Sequence, residues 1–162
     1  EVGYASQQKI QAPIAPPARA TKLMISYCWA QQVPVRQIHS SLLKEGYQIW
    51  IDIVHMSAAA SGAGILEAMS AAIDAADFVL VCVSREYSRS ANCRLEAEYA
   101  HTQGKQIRFL MLQPDFTKPT GWLGMLLGAS LWYNFFDGQQ GVDEQVAGLT
   151  AGLAPGAVAG AV

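Results

Sequence analysis

The sequence predicts a flavodoxin-like α/β sandwich, three layers around a five-stranded parallel sheet, and three observations carry that prediction. The run Phe78–Val83 is apolar at every position, as a strand buried on both faces requires. Further short apolar runs alternate with segments of helical period about ten to fifteen residues long, the signature of βα units. Hydrophobic residues make up 51% of the 162 and charged residues only 15%, enough apolar surface to cover both faces of a sheet.

In chain order, residues 1–21 contain Pro13, Pro16 and Pro17 among Gln and Ala and read as an extended linker. The folded domain spans residues 22–149. Leu23–Tyr27 is the first strand. Pro34 suits the first turn of a helix, whose stripe is Val35, Ile38 and Leu42 and whose end is Gly46. Gln48–Asp52 is the second strand, and a Ser/Ala/Gly-rich loop from Ile53 to Gly64 leads to a helix with stripe Ile65, Met69 and Ile73. After the strand Phe78–Val83, a third helix begins near Asn92 or Cys93 and closes at Gly104. Ile107–Leu112 and Ser130–Phe135 complete the sheet, with right-handed crossovers placing helices on both faces. Residues 150–162 form an Ala/Gly-rich tail, and from Gly148 onward no amphipathic stripe is evident.

Composition excludes several functions. A formal net charge of -2 supplies no basic field for nucleic acid. No apolar run approaches the roughly 20 residues of a membrane span. Cys28, Cys82 and Cys93 lack metal-ligand spacing, and His39, His55 and His101 are scattered, so neither a metal nor a bound cofactor is expected. An odd number of cysteines and no evident signal peptide read as a reducing, cytoplasmic setting. A start at Glu1 rather than Met reads as a piece of a longer protein. Phosphate cradles of the GxGxxG or GxxxxGK[ST] type are missing.

The chemistry is concentrated in Ser90–Ala100, which follows the most apolar strand by fewer than ten residues. Ligands of open α/β sheets bind at the C-terminal edge of the strands, and Glu96 and Glu98 emerge there from the start of a helix. They stand about 200° apart on that helix. Leu95 and Tyr99, an i,i+4 pair, are expected to face the sheet. From composition alone Glu96 is a first-turn carboxylate complementing the helix dipole. Cys93, at the same helix N-terminus, is a candidate thiolate only if the dipole lowers its pKa.

Several segments together resemble the TIR (Toll/interleukin-1 receptor) domain over about Lys22 to Phe135. Met24-Ile25-Ser26-Tyr27 resembles the family's first-strand box. Gly46–Asp52 is similar to its second strand with the terminal Asp, Phe78–Ser84 to its third, and Asn92-Cys93-Arg94-Leu95-Glu96 to its Trp-Cys-x-x-Glu box. Asn92 stands where the family often has Trp, and Cys28 and Trp29 where some enzymes of the family carry arginine. The loop after Asp52 lacks the Arg-Asp-x-x-Pro-Gly form of receptor members.

The resemblance implies one of two activities. Many animal members are assembly modules. An NAD-hydrolysing branch cleaves the nicotinamide–ribose bond, giving ADP-ribose or a cyclic variant in immune or cell-death signalling, after homotypic assembly with other TIR domains. In that branch the helix glutamate, here Glu96, is catalytic and NAD+ is the substrate. The expected substrate-binding residues are Tyr27, Cys28, Trp29, Asp52, Ser57 and Trp132. Each has a structural alternative: Trp29 can cap the core, Tyr27 can pack beneath the loop, and Trp132 can be a half-buried strand aromatic. Glu98 reads as a solvated surface residue, while Trp50 and Trp122 read as packing residues.

Overall fold

Alternation along the strands decides the architecture. The computed structural model describes residues 20–52, 63–136 and 140–154. Five strands, β1 (Lys22–Ser26), β2 (Gln48–Trp50), β3 (Phe78–Val83), β4 (Gln106–Met111) and β5 (Trp132–Asn134), form one sheet. Its order is β2-β1-β3-β4-β5, parallel throughout. The fold class read from the sequence is therefore the one observed.

Leu23, Ile25, Tyr27, Leu80 and Cys82 point to one face. There they meet α1 (Gln32–Lys44) and α6 (Val142–Ala151). Met24, Val79, Val81 and Val83 point to the other, against α2 (Ala63–Ala75), α3 (Arg85–Arg89), α4 (Ala91–Thr102) and α5 (Gly121–Leu127). Every residue of β3 is buried, as a central strand covered on both faces must be. Gly46 ends α1 with φ +87 and its N–H on the Leu43 carbonyl, the left-handed residue expected there. Among the described residues no helix is long and apolar enough to cross a membrane.

Three helices were not legible. The short α3 is capped by Ser84, whose Oγ accepts from Tyr87 N at 3.0 Å. In α5, Trp122 donates to the Ser88 carbonyl at 2.9 Å and lies against Tyr87, which anchors the segment leading to β5. Helix α6 extends through Ala151, and Leu153 beyond it is 1% exposed, so the stretch from Gly148 to Leu153 packs instead of fraying. Arg108 clamps its end: Nε and Nη2 donate to the Gly152 carbonyl at 3.2 and 3.1 Å, while the guanidinium lies 4.9 Å from the Phe78 ring centroid. Val142, Val146, Leu149 and Leu153 do stand at helical spacing, a signal diluted by the Ala and Gly between them.

Candidate active site

Strand order reverses direction between β1 and β3, and the crevice beyond their C-terminal ends is where such sheets bind ligands. A cavity of about 380 Å³ lies there. Tyr27, Cys28 and Trp29 enter it from the exit of β1, Asp52 from the exit of β2, Ile65 and Met69 from α2, and Asn92, Cys93 and Glu96 from α4. Five of the seven residues singled out in the sequence thus line one cavity. Ser57 lies outside the described residues. Trp132 does not line the cavity; it is 39% exposed on the edge strand β5, three strand spacings or roughly 14 Å from β1.

Glu96 is the sixth residue of α4, because the helix starts at Ala91 with Ser90 as its cap, Oγ accepting from Cys93 N at 3.2 Å. It therefore sits beyond the first turn, where the dipole's influence has faded. Its surroundings act the opposite way: burial, reinforced by the Asp52 charge and opposed by a Ser26 hydrogen bond, raises its pKa from the ordinary 4.5 to about 7. A carboxylate serving the helix dipole would be exposed and readily ionised, so that reading of Glu96 fails.

The support for Glu96 comes from elsewhere in the chain. Ser26 Oγ donates to Glu96 Oε2 at 2.5 Å and is itself 2.7 Å from Tyr87 Oη, which reaches the Cys93 carbonyl at 3.2 Å. With Glu96 ionised, Ser26 spends its proton on the carboxylate and accepts from Tyr87. With Glu96 protonated, the same row of groups can reverse, Tyr87 then donating to the carbonyl. Ser26 and Tyr87 were not singled out in the sequence. Ser26 shares a face with Met24 by strand alternation, and that is the signal that would have placed it beside α4.

Tyr27 Oη and Asp52 Oδ1 are both buried, and the phenol interacts with the Asp52 carboxylate and with Gln32 of α1. Burial, and then the hydrogen bond to Asp52 and its charge, push the Tyr27 phenol well above its ordinary value, against the Gln32 hydrogen bond, so it stays a neutral donor. The other oxygen of Asp52 accepts from Trp29 Nε1 at 2.6 Å. Trp29 remains 65% exposed, so it does not cap the core. The Asp52 carboxylate on the cavity wall is an acceptor of the kind that sugar hydroxyls meet.

The remaining candidates separate cleanly. Burial pushes the Cys93 thiol up to about 12, the Ser90 hydrogen bond opposing and the Glu96 charge adding to the rise. Cys93 is thus a protonated thiol lying 3.6 Å from the Tyr27 carbonyl, not a nucleophile. Glu98 pairs at the surface with Arg94 at 2.7 Å. Leu95 is 50% exposed, and Tyr99 bonds Asp74 through its hydroxyl at 3.0 Å. It is Cys93, Ala97 and Ala100 that face the sheet, contrary to the expectation that the i,i+4 pair Leu95 and Tyr99 would. Small residues let the helix approach the strands closely.

The family model described as TIR domain matches residues 23–150. No curated protein matches the sequence. Among solved structures, the chain is similar to the TIR domain of the Toll-related receptor TRR-2 of Hydra magnipapillata, with 14% identity and a TM-score of 0.65 over 82% of this chain and 98% of that one. It is also similar to the Clostridium botulinum CMP N-glycosidase BcmB, at 13% identity and a TM-score of 0.59 over 78% and 98%. A prokaryotic SEFIR domain matches at 17% identity and a TM-score of 0.58, over 84% and 100%. At these identities the likeness is one of fold.

Proposed function

Because the chain belongs to the TIR domain family, we propose that it is an enzyme of that family which hydrolyses the nicotinamide–ribose bond of NAD+, with Glu96 as the catalytic residue. The observation that carries the reading is a partly buried carboxylate, held by Ser26 and raised to a pKa of about 7, in a cavity at the switch point of the sheet. That a fold neighbour is a nucleotide N-glycosidase supports the same class of bond.

Cleavage of a ribosyl N-glycoside passes through an oxocarbenium-like sugar. The C1–N bond breaks with its electron pair passing to the pyridinium nitrogen, which leaves as neutral nicotinamide without a general acid. An ionised Glu96 stabilises the developing positive charge. Water adds at C1 and releases a proton, and Asp52 faces the ribose hydroxyls. Ser26 occupies only one carboxylate oxygen and fixes the other's direction. Homotypic association is the activating event in this reading, and a neighbouring copy's Trp132, exposed on the sheet edge, completes the cavity.

The test is nicotinamide release from NAD+ by the chain concentrated on beads, followed by chromatography beside Glu96→Gln. Release by the unsubstituted chain alone is the expected result. Equal release by both, or none from either while light scattering shows assembly, refutes it. The second outcome would leave a TIR–TIR signalling module without catalysis, a reading that the exposed tryptophans Trp29 and Trp132 favour.

A further inference from the structure

Glu96 and Met69 line a second depression besides the cavity described above. It is an apolar groove of about 290 Å³ between α2 and α4, walled by Leu66 and Ile73 on one side and Leu95 and Tyr99 on the other. The two spaces meet at this shared pair of side chains, one carboxylate and one thioether. We propose that the groove is the base subsite of the enzyme, receiving the planar heteroaromatic leaving group of an N-riboside while the sugar occupies the polar cavity. This assignment rests on the N-glycoside hydrolase reading of Glu96 and adds the orientation of the substrate.

Chemistry divides the two spaces. On the cavity side stand the Asp52 carboxylate and the Asn92 amide, which match hydroxyls. On the groove side, Leu66 and Leu95 hold apolar surface open to water, at 57% and 50% exposure, surface that a flat ring would cover. The Tyr99 ring is held in place by its bond to Asp74. Glu67 and Glu96 are the charged groups of the described lining, and it holds no Lys or Arg. A phosphate is therefore repelled from the groove, and a neutral or cationic ring such as a pyridinium is welcome there. With the base on one side of Glu96 and the hydroxyls on the other, the anomeric carbon lies at the carboxylate. Both walls belong to one chain, so base binding needs no second copy.

The experiment is a methyl NMR titration of the chain labelled at Leu, Ile and Met, with nicotinamide and separately with ribose 5-phosphate. Nicotinamide should move the methyls of Leu66, Leu95 and Met69; ribose 5-phosphate should move Ile65 and Met69 and leave both leucines still. Leu95→Asn, a change at a half-exposed site, should weaken nicotinamide binding about ten-fold and spare ribose 5-phosphate. Nicotinamide that moves Ile65 but neither leucine, or no methyl at all, overturns the assignment. Turnover of NAD+ with silent leucines defeats the groove and leaves the hydrolase standing. A leucine response from a chain that assembles by light scattering yet does not turn over NAD+ supports the groove and removes the hydrolase.

Discussion

Replacing Glu96 with glutamine should stabilise the protein in alkaline solution and leave it nearly unchanged in acid. In the folded chain the Glu96 carboxyl is raised from 4.5 to about 7, first by burial and then by Asp52, against the Ser26 hydrogen bond. Between those values the folded state holds a proton that the unfolded state has released. Stability from this group is therefore fully present below the unfolded pKa and lost as the pH rises through the folded one. At about 1.4 kcal/mol for each pH unit, the ionised carboxylate costs roughly 3 kcal/mol above pH 8. Glutamine keeps the shape and an oxygen for Ser26 but never ionises. Urea denaturation of both proteins at about pH 4 and about pH 9 isolates the charge, since any cost of the amide itself appears at both ends. The expected gain at the alkaline end is roughly 3 kcal/mol, or about 6–12 °C in melting temperature. A difference that does not change with pH, or a variant less stable at the alkaline end, would refute the burial argument whatever the enzyme assay shows.

Two further outcomes follow from named contacts. Ser26→Ala removes the donor that holds the Glu96 pKa down, so the alkaline rise in nicotinamide release should move up by roughly one pH unit; an unmoved midpoint removes Ser26 from the site. Arg108→Leu frees the Gly152 carbonyl and loses the contact with Phe78. It should cost about 2–3 kcal/mol in chemical denaturation, and a cost near zero would mean that α6 docks by its apolar stripe alone.

Local pattern carried much of this molecule. The unbroken apolar run of β3, the stripe of α1 and the left-handed Gly46 are short-range signals, and each element lies within a residue or two of its expected place. Helix phase was harder. In α4, Leu95 with Tyr99 and Cys93 with Ala97 are both i,i+4 pairs, and side-chain size favours the first. The sheet accepts the second, because only small residues permit close approach; the larger pair is left to wall the groove. Helix α6 was hidden for a related reason, its four apolar residues being separated by Ala and Gly that blur the stripe.

By itself, then, the sequence determined the parallel sheet, the order of its elements and the arrival of a glutamate-bearing helix at the functional edge, since periodicity and turn chemistry act over a few residues. Only the tertiary structure decided what that glutamate experiences. Ser26 meets Glu96 across 70 positions and Tyr87 meets Ser26 across 61. Desolvation is the sum of all atoms packed around the carboxyl. Neither quantity exists until β1, β3 and α4 are brought together, because charge, hydrogen bonding and exclusion of water depend on distance in space and not on distance along the chain.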